Sequence, residues 1–89
     1  PFNPTTTLMY ELPEQSFVTL TIYDMLGTEI TTLVNAQQEP GYKSVKWDAT
    51  DSMGKTVSAG VYLYRINVDN LSAESDRRLV KTLKMVLLK

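Results

Sequence analysis

The sequence predicts an all-β fold of antiparallel strands in two packed sheets. Three observations predict it: apolar residues alternate with period two over most of the chain, turn-forming residues cluster between the alternating runs, and the runs recur at intervals of about 8–15 residues. Residues 5–12 place Leu8, Tyr10 and Leu12 on one face. Residues 17–24 set Val18, Leu20 and Ile22 against Thr19, Thr21 and Tyr23, the alternation of a half-buried strand. Residues 29–34 are rich in β-branched side chains, and 41–48 bring Val45 and Trp47 to one side. A short strand is expected at 55–57, and 61–68 align Tyr62, Tyr64, Ile66 and Val68.

The connections have matching chemistry. Pro13-Glu14-Gln15-Ser16, Leu26-Gly27-Thr28 and Glu39-Pro40-Gly41 read as turns, with Pro fixing φ and Gly accepting a left-handed backbone. Residues 48–54 and 69–76 read as longer polar connections. The last segment, 77–89, fits a strand through Leu79, Leu83, Met85 and Leu87, and a helical stripe through Leu79, Val80, Leu83, Val86 and Leu87. The strand reading is preferred because one more strand is needed to close a sheet. The expected fold is therefore an Ig-like β-sandwich of about seven antiparallel strands.

With 89 residues the chain holds one domain, and without Cys or His it can build no disulfide, thiolate or imidazole metal site, nor a Ser-His or Cys-His nucleophile pair. Its stability must come from a well-patterned core. The apolar runs are far shorter than the ~20 residues of a membrane-spanning helix. The net charge of -1 gives no case for nucleic acid, yet it hides a polarised chain: residues 1–73 carry -4 and residues 74–89 carry +3. Lys81, Lys84 and Lys89 can protect a sheet edge against aggregation, the reading preferred on physical grounds alone, or can belong to a basic C-terminal signal or a membrane-surface helix. The chain does not begin with Met, so it is expected to be a segment of a longer protein.

Several constellations bear on chemistry. Asp48 and Asp51, followed by Gly54, are candidate oxygen ligands for a hard cation such as calcium, although the spacing is not that of an EF-hand. Asp side chains also close turns by accepting backbone N–H bonds, and that reading is preferred. In Ser58-Ala59-Gly60-Val61-Tyr62, a Tyr entering a strand two residues after Gly fits a tyrosine corner, with Tyr64 packed inward as Trp47 is. An aromatic platform for sugars finds little support, because alternation sends Trp47, Tyr62 and Tyr64 inward and leaves Tyr23 and Tyr42 outside. Glu11, Glu14, Asp24 and Glu29 read as solvated turn and strand-end residues rather than a hydrolytic carboxylate pair. No enzymatic activity and no cofactor are expected.

These residues resemble a known family as an ordered set. Pro1-Phe2-Asn3-Pro4-Thr5-Thr6-Thr7-Leu8, the run from Ile22 through Gly27 to Ile30, Val45-Lys46-Trp47-Asp48 with Asp51 and Gly54, Ser58-Ala59-Gly60-Val61-Tyr62, and Lys84-Met85-Val86-Leu87-Leu88-Lys89 look like the C-terminal sorting domains of the type IX secretion system. Those domains overlap in sequence with the Ig-like domain of flagellar hook-capping proteins. The resemblance implies that residues 1–89 form a single Ig-like C-terminal sorting domain, covalently linked to an N-terminal cargo domain. It further implies recognition by the type IX outer-membrane translocon, with export through the periplasm to the cell surface or extracellular space. A sortase-like peptidase commonly removes the domain and attaches the cargo to lipopolysaccharide. Carried over by position, Gly27 with Ile30 matches the Gly-containing hairpin motif and Gly60 with Tyr62 the Gly-x-Tyr motif. Lys84, Met85, Val86, Leu87, Leu88 and Lys89 match the basic-hydrophobic terminal strand. Residues 69–82 depart from the pattern, being longer and more charged than the short turn expected before that strand. An Ig-like module that spaces or stabilises a neighbouring catalytic or adhesive domain is the alternative reading. The domain is expected to be a monomer or a weak edge-strand dimer.

Overall fold

The computed structural model describes the backbone of residues 5–72 and 75–87, and the side chains of 5–69 and 80–87. Six strands follow one another: β1 (Thr6–Leu12), β2 (Ser16–Tyr23), β3 (Glu29–Gln38), β4 (Gly41–Trp47), β5 (Gly60–Ser72) and β6 (Ser75–Leu87). All pairings are antiparallel, in a four-stranded sheet ordered β3-β2-β5-β6 and a two-stranded sheet of β1 and β4. No helix of the described residues is long and apolar enough to cross a membrane.

The core lies between the sheets, where alternation put it. Val18, Leu20 and Ile22 of β2 are buried beside Tyr62 and Ile66 of β5 and Leu87 of β6. Leu8, Leu12 and Trp47 close over them from the small sheet. Tyr64, Val45 and Val68 are half-buried against this cluster. On the opposite face of the large sheet, the Arg65 guanidinium lies 5.2 Å from the centre of the Tyr23 ring, so Tyr23 is half-buried rather than bare, whereas Tyr42 is exposed as expected.

Two expectations about strands are corrected. Residues 55–57 do not form a strand; only an isolated bridge between Thr50 and Thr56 remains, because Asp51 draws the surrounding backbone into a turn. The final count is therefore six strands among the described residues rather than about seven. Residues 69–76 are not a polar connection either. The β5–β6 ladder continues without a register shift from Gly60–Leu87 to Ser72–Ser75, carrying the hairpin past the last β2 pair, Phe17–Asp69. Residues 69–76 carry no apolar alternation, which is why this stretch reads as loop in the sequence.

The two long sides of the sandwich differ. On β3, Leu33 and Ile30 are extra residues where the β2–β3 register shifts, and such bulges bend a strand. On that side β3 passes directly into β4 across Glu39 and Pro40, which links the two sheets. On the other side β1 has no strand neighbour beyond β4, and β6 has none beyond β5, among the described residues.

Candidate functional site

The expected functional residues gather at the end of the sandwich where β2 meets β3. There the chain makes the same turn twice. The Asp24 carboxylate Oδ1 accepts the backbone N–H groups of Leu26 and Thr28, each at 2.9 Å. Asp51 Oδ1 accepts those of Met53 and Lys55 at the same 2.9 Å. The main chain repeats as well: Gly27 N–H donates to the Asp24 carbonyl as Gly54 N–H does to Asp51, and Asp24 and Asp51 donate to the Thr28 and Lys55 carbonyls. Both glycines occupy the left-handed region, at φ 86° and 83°. A side chain there would be strained, so the motif Asp-x-(Leu/Met)-Gly is a conformational requirement in both places.

The turns are joined. The Ser52 N–H donates to the Ile30 carbonyl at 3.0 Å, so the bulged residue of β3 tethers the second turn beside the first. Gly27 and Ile30, singled out as a sequence motif, thus act together: Gly27 shapes one turn and Ile30 fastens the other to it. The tips carry exposed apolar side chains, Leu26 at 92% and Met53 at 88% of full exposure, with Met25 beside them. Sequence reading missed this tip, although two Asp-x-(Leu/Met)-Gly segments in one short chain were the available signal.

Asp51 and Asp48 do not share a site with a third acidic ligand: the described residues hold no cluster of three candidate metal ligands. Asp51 serves its turn, and Asp48 accepts a hydrogen bond from Thr50 Oγ1. Between them Ala49 is buried at a positive φ of 64°, a strained conformation for a residue with a Cβ. That bend lets the Trp47 indole Nε1–H donate to the Thr50 carbonyl at 2.9 Å. The Trp47 and Tyr62 rings meet edge to face at 5.2 Å, a favourable arrangement of aromatic quadrupoles. The Tyr62 hydroxyl donates to the Ser58 carbonyl at 2.6 Å, as a tyrosine corner requires.

The terminal strand lies at the outer edge of the large sheet. Leu87 is buried and Met85 half-buried, while Lys84 and Val86 are exposed. Leu88 and Lys89 lie outside the described residues. At the opposite end of the sandwich the Tyr10 hydroxyl donates to Gln38 Oε1, linking β1 to β3. Partial burial raises the Tyr10 pKa above its ordinary value, while the bond to Gln38 works in the opposite direction.

Comparison with known proteins accords with this architecture. Among solved structures, FlgD from Pseudomonas aeruginosa superposes with a TM-score of 0.72 at 26% identity, over 94% of this chain and 61% of that one. FlgD from Xanthomonas campestris, described as giving insights into the hook capping essential for flagellar assembly, gives 0.70 at 23% identity, over 92% of this chain and 59% of that one. The dimeric latent PorU of Porphyromonas gingivalis gives 0.60 at 20% identity, over 99% of this chain and 9% of that one. The chain therefore spans about 60% of the FlgD chains and a small part of PorU. No curated protein sequence matches it significantly. The sequence profile of the FlgD Ig-like domain matches residues 3–72, and with the sandwich and the tyrosine corner in place the chain belongs to the FlgD Ig-like domain family.

Proposed function

We propose that this Ig-like domain is a non-catalytic C-terminal secretion and surface-sorting domain, read by a type IX outer-membrane translocon while joined to an N-terminal cargo domain. The observation that carries the reading is the terminal strand. β6 is an edge strand whose inward residues Met85 and Leu87 anchor it, and whose outward residues Lys84 and Val86 stay free for recognition. Such an edge can pair with a partner by strand addition while its lysine supplies charge complementarity. The ordered motif set, with Gly27, Ile30, Gly60 and Tyr62 all shaping one end, supports the same reading, as does the similarity of fold to latent PorU. Processing by a sortase-like peptidase and delivery to the cell surface belong to this proposal.

The test is export of a reporter fused to the chain in a type IX-competent host. Deleting residues 84–89 removes the buried Leu87 and can act through misfolding, so the paired outward substitutions Lys84→Glu and Val86→Asp are the sharper variant. Loss of export with the fold retained is expected, and unchanged export of a stable variant overturns the proposal.

The second reading is an Ig-like accessory module that spaces or stabilises a neighbouring catalytic or adhesive domain. Membership in the FlgD Ig-like family and the similarity to FlgD hook-capping structures favour it. It predicts that removing the chain lowers the stability or adhesion of the neighbour while export persists.

A further inference from the structure

The side of the sandwich away from β3, beside β6, holds a cleft of about 210 Å³. Its floor is the inner face of the large sheet, with Tyr64 and Ile66 of β5 and Leu83 of β6, and its wall is β1. Leu8 and Tyr10, which face inward, line it together with Met9 and Glu11, which face outward. Residues of both parities can line one cleft only where it wraps the strand's edge, and no β4 residue contributes. The cleft therefore lies along the unpaired edge of β1, where alternate backbone N–H and C=O groups have no ladder partner.

Lys81 gives the cleft its chemical character. In β6 it has the parity of Leu83, Met85 and Leu87, so it stands on the inner face above an apolar floor, yet it remains exposed and has no ion-pair partner among the described residues. Glu11 stands on the other rim, on the outer face of β1.

We propose that this cleft receives an extended segment of a partner protein as a third strand of the small sheet, with apolar residues and one carboxylate on its inner face. Only an extended strand satisfies the β1 edge while presenting every second side chain to the floor. Lys81 calls for an inward carboxylate, and Glu11 favours a basic or neutral outward neighbour. A second copy of this chain fits less well. β1 offers Leu8, Tyr10 and Leu12 inward with no acid among them, and pairing two β1 edges would bring two lysine-bearing β6 edges together. The cleft is separate from the outward face of β6 on which the sorting proposal rests.

The test titrates the full chain with capped seven-residue peptides alternating valine and threonine, in which the central inward valine is replaced by Glu, Gln or Lys. Binding is read from backbone amide shifts. The Glu peptide is expected to bind about three- to fivefold more tightly than the Gln peptide, the size of an exposed ion pair, with shifts centred on residues 8–11 and 64–68. Lys81→Glu, an exposed change, is expected to reverse the preference toward the Lys peptide. Three results overturn the proposal: shifts confined to the outward edge of β6, equal binding of all peptides, or self-association through β1 without peptide. A general gain in binding by Lys81→Gln also overturns it, since Lys81 would then only keep the edge from pairing.

Discussion

Leu83 and Leu87 are the same residue type on the same face of the same strand, four positions apart, yet Leu87 is 3% exposed and Leu83 37%. The difference comes from the other sheet. Leu87 shares the buried cluster with Trp47 of the small sheet, whereas Leu83 lines the cleft that the small sheet leaves open. Strand alternation decides which face a residue occupies, and the opposing layer decides how deep it lies. One half of the molecule is thereby committed to stability, and the other keeps apolar surface and an unpaired strand edge accessible.

The largest test of this contrast is truncation of the two leucines. Leu87→Ala is expected to cost about 2–4 kcal/mol and Leu83→Ala about 1 kcal/mol or less, measured by urea unfolding with unchanged m-values. Equal losses would remove the distinction between the halves. Next in size is Tyr62→Phe, which leaves the Ser58 carbonyl without its donor and should cost about 1–2 kcal/mol while the Trp47 contact persists. Asp24→Ala and Asp51→Ala each remove two backbone hydrogen bonds in matching geometry, so each should cost about 1 kcal/mol and the two should agree closely. A much larger loss for Asp51, reproduced in the wild type by a chelator, would instead reveal a bound cation.

The smallest effect is at alkaline pH. The folded Tyr10 has a raised pKa, so its neutral form is favoured in the fold, and the associated stability is complete below the unfolded value near 10. It is lost as pH rises from there through the higher folded value. Thermal melts between pH 8 and 11 should show this decline in the wild type and a weaker one in Tyr10→Phe.

Much of this division was legible in the sequence because it depends on local alternation. Val18, Leu20, Ile22, Trp47 and Tyr62 lie where their parity places them, and the Tyr62 hydroxyl bond follows from its spacing after Gly60. The turn at Asp51 was legible too, but not its identity with the turn at Asp24, since the flanking residues differ and only the hydrogen bonds coincide. The outer part of the β5–β6 hairpin was not legible, because residues 69–76 lack the apolar alternation by which a strand is read. Nor was the cleft. Lys81 shares the inward parity of Leu83, Met85 and Leu87, and its meaning depends on where β1 stops covering β6, a long-range relation that no window of sequence contains.

The pairing of β1 with β4, rather than with its chain neighbour β2, has a kinetic consequence. β2 with β3 and β5 with β6 are hairpins that close over short loops, whereas Thr6 must find Trp47 across the whole of the first hairpin. Loop closure of this kind is entropically costly before it is rewarded, and all-β domains rich in such contacts fold on the order of milliseconds to seconds. The two hairpins are therefore expected to form first, and β1, which belongs to neither, is expected to join after them. Substitutions at Leu8 should speed unfolding and leave the folding rate nearly unchanged, whereas substitutions at Leu20 should slow folding. The strand that borders the open cleft would then be the last to settle and the first to leave.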